Sequence, residues 1–159
     1  MAIASFKAGE GISAGDAVFV SSAGLVFKAL ADTKDNASVA GIAVNGGSVG
    51  DLIRVNLDAI YTSSSTYSPP QDLYLSLTTS GAYVDYESVA SGLAVTTYPG
   101  VYLTKVGTAV TSNKINVEVS LPRFIINPTS VLLLETSAAI TIDAILQEDG
   151  STIKTEDAT

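Results

Sequence analysis

The sequence of 159 residues contains no histidine, no cysteine and no tryptophan. Without histidine no side chain titrates near neutral pH in its ordinary state, and without cysteine there is no thiol nucleophile, disulfide or zinc–thiolate site. The acids fall mostly in turns or singly on predicted strands, whereas a glycosidase-type pair needs two carboxylates about 5–10 Å apart in a cleft. We therefore predict that the chain is not an enzyme and carries no catalytic residue, metal site or cofactor.

Positive charge is also scarce, because eight Lys and Arg stand against sixteen Asp and Glu and give a net charge of −8. The basic residues are scattered singly, whereas a nucleic-acid surface needs them clustered. We therefore expect no nucleic-acid partner. Residues 129–159 hold six acids and one base, a charge of −5. An acidic end of this kind is typical of a solvated segment, and an interacting arm is the alternative.

Long apolar runs are missing as well. The most apolar stretch, residues 131–146, is interrupted by Glu135 and Asp143 and is shorter than the roughly 20 residues that a membrane helix needs. The first seven residues lack the basic start and the apolar run of a signal peptide. We expect no membrane partner.

Short strand patterns separated by Gly- and Ser-rich turns dominate the chain and predict an all-β fold. They lie at residues 16–20, 25–29, 39–44 and 51–57, and again at 72–76, 81–84, 106–110 and 114–119. An element of the form (Val/Ala)-Gly-x-Ala-Val occurs once in each set, at 40–44 and 106–110. The repeated order predicts two related halves; the ordinary rhythm of an all-β protein is the alternative.

These patterns predict four segments. The first β module covers residues 1–60, a Ser/Thr/Pro-rich linker loop 61–71, a second, related β module 72–122, and an acidic C-terminal arm 123–159. Asp149-Gly150 in the arm indicates a hairpin. Because an isolated hairpin is only marginally stable in water, we expect the arm to pack on its own domain or on a neighbouring subunit.

Four segments of the first module carry a resemblance to a family. They are residues 9–21 (GEGISAGDAVFVS), 24–29 (GLVFKA), 40–43 (AGIA) and 50–55 (GDLIRV). Together they resemble a module of tailed-bacteriophage virion proteins, found in capsid decoration (cement) proteins and in some tail-fibre or spike domains. The resemblance is good over 8–57, looser over 72–119, and only one of style over 123–159. It implies a small β-barrel or β-tulip-like fold and a homotrimer, with Gly15, Asp16, Gly41 and Gly50 at structural positions.

The resemblance also implies a function. The chain would be a virion structural protein made in the host cytoplasm, a decoration protein that binds the major capsid protein on the outside of the phage head and stabilises the capsid. The alternative is a tail-fibre or spike domain that binds a host receptor glycan.

Aromatic residues supply the candidate contact surface. All seven tyrosines fall within residues 61–102, and tyrosine is favoured at interfaces. The predicted partner contacts are Tyr67, Tyr74, Tyr83, Tyr86, Tyr98, Tyr102, Phe124, Ile126 and Leu133. Ordinary strand tyrosines with hydrated hydroxyls are the alternative interpretation.

Overall fold

The computed structural model of the chain describes residues 2–95 and 100–126, without the side chains of 93–100 and 126. Most of the predicted acidic arm, with its hairpin at Asp149-Gly150, lies outside the described residues, as do Tyr98 and Leu133. Residues 1–125 form one compact unit.

The described residues form twelve strands and one helix, so the predicted all-β class is confirmed. The elements are β1 (Ile3–Ala8), β2 (Ala17–Val20), β3 (Leu25–Lys28), β4 (Val39–Ala43), β5 (Leu52–Asn56), β6 (Ile60–Thr62), β7 (Gln71–Leu75), β8 (Tyr83–Val84), α1 (Tyr86–Val95), β9 (Gly100–Leu103), β10 (Lys105–Thr111), β11 (Lys114–Val117) and β12 (Arg123–Ile126). The strand patterns found in the sequence do not cover β1, β6, β9, β12 or the helix.

The first five strands close into a small barrel in the order β1-β3-β2-β4-β5. The predicted hairpin of β2 and β3 is antiparallel, with Phe19 opposite Phe27. β1 completes the barrel, because it pairs antiparallel with β5 and parallel with β3, where Ala8 lies opposite Val26. Closure leaves no exposed sheet edge in this half of the chain.

The next strands form an open sheet in the order β6-β11-β10-β7-β8. Its pairing follows that of the barrel strand by strand. Ala43 of β4 lies opposite Val55 of β5, and Ala109 of β10 lies opposite Ile115 of β11. The register between paired strands also shifts at the equivalent glycine in each half. In the β2–β4 pair the shift follows Val18, which lies opposite Gly41, and in the β7–β10 pair it lies beside Gly107. The two halves therefore have the same strand connectivity.

The structural register corrects two details of the sequence comparison. Gly41 lies opposite Val18, and Gly107 opposite Leu73, so Asp16 corresponds to Gln71 and not to Asp72. Asn56 lies opposite Ile42, and Asn116 lies opposite Thr108, so the match of residues 114–119 to 52–57 is wrong by two residues. The period-two pattern is lost in β2 because both of its faces are buried. Ala17 faces a core that is shared with the second half, and Val18 faces the interior of the barrel.

The two halves share one apolar core. It joins six residues of the first half, four of them alanine, to six of the second, five of them branched: Ala17, Ala29, Ala31, Ala37, Val39 and Ile42 with Leu73, Leu75, Val106, Ala109, Ile115 and Val117. Because alanine is short, the two backbones approach within hydrogen-bonding distance. The Ala17 amide donates to the Gly81 carbonyl at 2.8 Å, and the Ala31 amide donates to the Ser76 carbonyl at 3.1 Å.

One buried hydroxyl also joins the halves. Thr104 is completely buried, and its Oγ1 donates to the Ala37 carbonyl at 2.7 Å. Thr104→Val keeps the shape of the side chain but removes this hydrogen bond. We expect a loss of about 1–2 kcal/mol in the free energy of unfolding, measured by urea denaturation. An unchanged midpoint would mean that this bond does not stabilise the junction.

Candidate functional site

The predicted aromatic contacts divide into two groups in the structure. Tyr74, Tyr86, Tyr102 and Phe124 lie on one surface. Tyr67 and Tyr83 line a separate pocket together with Tyr61. Ile126 ends β12, and its side chain is outside the description.

The first group forms a shallow depression that we call the aromatic groove. It is lined by Tyr74, Tyr86, Leu103, Leu121, Arg123 and Phe124. Tyr86 is 54% exposed, Phe124 49% and Leu121 88%. Contiguous exposed apolar surface of this kind marks contact sites in proteins, whereas single exposed apolar residues do not.

Local structure explains why these rings face outward. In β7 the side chains of Leu73 and Leu75 are buried, so Tyr74 between them points to the opposite face. Its ring meets that of Tyr86 edge-on, with centroids 5.8 Å apart. Phe124 is held in the same way by Tyr102, at 5.2 Å. Edge-to-face pairs fix ring orientation, so the groove is preorganised.

Tyr86 is positioned by the start of helix α1. The Asp85 carboxylate caps the helix by accepting from the Ser88 amide at 2.7 Å. This hydrogen bond is the largest cause that lowers the pKa of Asp85 below its ordinary value of 3.8.

The lowered pKa of Asp85 predicts how the helix responds to acid. A carboxyl whose pKa is lower in the folded chain stabilises the fold above its unfolded-state pKa, and that contribution is lost as pH falls through the folded-state value. We therefore expect α1 to fray below pH 3.8 in the wild type. Asp85→Asn should remove this pH dependence while keeping a capping side chain. Amide exchange of Ser88 and Val89 measures it, and equal acid profiles in both proteins would contradict the assignment.

The groove carries positive charge on a chain whose net charge is negative. Arg123 lines both halves of the groove, and Lys105 lies at one end. Lys105 Nζ is held 3.2 Å from the Asp72 carboxylate, which also accepts from Thr108 Oγ1 at 2.8 Å. These hydrogen bonds, first from Thr108 and then from Lys105, lower the pKa of Asp72. No acidic residue is among those that line the groove in the described part of the chain.

The second group, which we call the tyrosine pocket, encloses about 220 Å³. Its lining includes Tyr61, Tyr67, Tyr83, the Asp16 carboxylate and the hydroxyls of residues 63–65. The hydroxyls of Tyr67 and Ser63 are hydrogen-bonded to each other at 3.1 Å.

Burial and neighbouring acidic groups raise the pKa of Tyr61 and Tyr83. Burial is the main cause that raises the pKa of Tyr83, followed by Tyr67 and Tyr61. Burial is also the main cause that raises the pKa of Tyr61, and Tyr67 and Asp16 raise it further. Both hydroxyls therefore remain neutral and able to donate a hydrogen bond at any physiological pH.

The sequence patterns do not identify the groups that complete both sites. In the groove these are Leu103, Lys105, Leu121 and Arg123, and in the pocket Tyr61, Asp16 and the serines. The aromatic contacts could be predicted because tyrosine is concentrated in one part of the chain. The cations and serines are common surface residues, and only the fold brings them beside the rings.

Within residues 2–95 and 100–126, no three of the Asp and Glu side chains are close enough to share a metal ion. The same residues contain no helix long and apolar enough to cross a membrane. In comparisons with known proteins, the chain matches no family model and no curated protein.

Proposed function

We propose that this chain is a capsid decoration (cement) protein that binds the major capsid protein on the outer surface of a bacteriophage head and stabilises the shell. It does so as a non-enzymatic homo-oligomer, with the trimer favoured by the family resemblance. The observation that carries the proposal is the aromatic groove, which presents exposed rings and a cation on strand β12 and the start of helix α1.

The groove has the composition of an energetically important contact. Tyrosine and arginine are the side chains that most often dominate binding energy at protein interfaces, together with tryptophan. Here Tyr86 and Phe124 stand beside Arg123, and Leu121 is almost fully exposed. Their burial against a partner would remove apolar area from water, which contributes roughly 25 cal/mol per Å².

The framework below the groove suits a clamp. Two modules share one core, so a force applied to one is transmitted to the other through packed side chains. The first module is a closed barrel without a free edge, so this half of the chain cannot pair strands between copies.

Charge supports the outer location. A protein with a net charge of −8 is repelled by packaged DNA. Arg123 gives the groove a local positive charge that an acidic surface of the partner could meet. Stabilisation follows from mass action, because a ligand that binds only the assembled shell lowers the free energy of that state.

Cosedimentation with purified capsids of the encoding phage tests this function. We expect binding to expanded capsids that saturates at a copy number set by the lattice, and a higher temperature of capsid disruption when the sites are full. Failure to bind capsids, combined with binding to host cells that free glycan competes away, would replace the proposal with the tail-fibre or spike alternative.

A further inference from the structure

The tyrosine pocket exists because the second module does not close. In the first module β1 runs beside β3, and the Gly9 amide donates to the Val26 carbonyl at 2.9 Å. The strand that corresponds to β1 in the second module is β6, since Ile3 lies opposite Asn56 and Ile60 opposite Asn116.

After β6 the chain takes a different course. The Ser63 amide donates to the Asn113 carbonyl at 2.8 Å, and the Tyr67 amide to the Ser112 carbonyl at 2.8 Å. Residues 63–67 therefore turn toward the β10–β11 hairpin, and β6 and β8 remain at opposite edges of the open sheet. The pocket lies at this unclosed seam, between Ser63–Ser65 and Gly81–Tyr83.

The side chains at the seam carry many hydrogen-bonding groups and little charge. The three phenols are donors and acceptors, the serine hydroxyls add more of both, and Asp16 adds one carboxylate acceptor. Neither lysine nor arginine is among the residues that line the pocket. A phosphate or carboxylate ligand would find no counter-charge there, and a single carboxylate is too few for a tightly held calcium ion.

Two further features define the size and shape of a ligand. The volume of about 220 Å³ corresponds to roughly seven water molecules and is below the range typical for drug-sized ligands. Gly15 forms part of the wall, with a φ of +97° and a position 3.2 Å from the Tyr61 hydroxyl for any Cβ placed there. A residue with a side chain at position 15 would narrow the space beside Tyr61.

We propose that the tyrosine pocket binds one ring of a neutral saccharide. The hydroxyls of Tyr61 and Ser64 and the carboxylate of Asp16 would form hydrogen bonds with the sugar hydroxyls. This site is distinct from the aromatic groove and goes beyond capsid binding. A decoration protein with it would carry a sugar-binding site on the virion in addition to its structural role.

Saturation-transfer NMR on the full chain tests the site, with the methyl glycosides of glucose, galactose, mannose and N-acetylglucosamine as probes. We expect at least one of them to bind with a Kd of about 1–10 mM, as suits a ligand of about a dozen heavy atoms. Glucuronate should bind at least fivefold more weakly than glucose, because the pocket has a carboxylate and no cation. Choline should give no transfer, since its recognition requires open aromatic faces.

The chain supplies a matched control for the Asp16 variant. Asp16 Oδ2 accepts from the Ser13 amide at 2.8 Å, and Asp51 Oδ2 accepts from the Ser48 amide at 2.8 Å in a second turn of the same kind. Asp16→Asn and Asp51→Asn therefore perturb equivalent turns, but only the first removes charge from the pocket. We expect Asp16→Asn and Tyr61→Phe each to weaken sugar binding at least fivefold, and Asp51→Asn to leave it unchanged.

Three results would overturn the proposal: no transfer from any of the four glycosides, equal effects of Asp16→Asn and Asp51→Asn, or stronger binding of choline or glucuronate than of the neutral sugars. None of them bears on capsid binding, which depends on the groove. A failure of the sugar site is therefore distinguishable from a failure of the decoration function.

Discussion

Alanine at position 41 is expected to lower the free energy of unfolding by about 3 kcal/mol or more. Gly41 lies in β4, where an added Cβ would overlap the main-chain carbonyl of Asn56 and would lie 3.0 Å from Val55 Cγ1. A main-chain atom within a paired strand cannot rotate away as the end of a long side chain can. The strands β4 and β5 would have to separate, and the barrel would open there.

The corresponding position in the second module should behave alike. An added Cβ at Gly107 would overlap the Asn116 carbonyl and would lie 2.8 Å from Ile115 Cγ2. We therefore expect Gly107→Ala to destabilise the chain by a similar amount. A similar loss in the free energy of unfolding at both positions would show that the close approach of the strands requires the glycine of the repeated Gly-x-Ala element.

Gly11 supplies the control for both variants. It has no neighbour within 4 Å of an added Cβ and no positive φ, so Gly11→Ala should change stability by less than about 0.5 kcal/mol. Urea denaturation followed by circular dichroism measures all three variants. Gly41→Ala and Gly107→Ala within about 0.5 kcal/mol of Gly11→Ala would refute the close-approach argument.

Removal of the two exposed rings of the groove should weaken capsid binding strongly without unfolding the chain. Tyr86→Ala and Phe124→Ala should each weaken binding by about tenfold or more, and the double variant by about a hundredfold, since exposed aromatic anchors at an interface cost more than about 1 kcal/mol each when truncated. Both side chains are about half exposed, so the loss of fold stability should be small. Titration of labelled protein onto expanded capsids gives the affinities.

Val49 is the control for the groove variants. It is an exposed apolar residue of the first module, 71% accessible, and it does not line the groove. Val49→Ala should bind capsids as the wild type does. If Val49→Ala and the double variant bound equally well, the contact surface would have to lie elsewhere.

The strands of the first module could be predicted from sequence because local rules determine them. The hairpin of β2 and β3 follows from two β-branched runs around Gly24, whose φ of +79° needs the conformational freedom of glycine. The repeated Gly41 and Gly107 indicated the second module for a physical reason, since both permit the same close approach of two strands.

Long-range pairing could not be predicted in the same way. β1 pairs with β5 across about fifty residues, and nothing in its own sequence specifies that partner. The helix α1 is short, ten residues with three Val and Leu side chains among small ones, and its apolar pattern is too weak to identify. The one-residue error in the alignment of β7 has a similar origin, because β2 is buried on both faces and shows no alternation.

The candidate sites also depend partly on local sequence and partly on long-range packing. Tyrosine content located the correct region, but it could not separate the groove from the pocket. That separation depends on Tyr74 and Tyr83 lying on adjacent strands, where the first faces the groove and the second faces the unclosed seam. Arg123 enters the groove only because β12 lies beside β9.

A reconstruction of phage heads assembled with and without the protein tests the proposed decoration function directly. We expect difference density on the outer surface of the shell, repeated at one class of lattice position. In this density the surface around Tyr86, Arg123 and Phe124 should face the major capsid protein. Heads that lack this density, with the protein found instead at the tips of tail fibres or spikes, would contradict it.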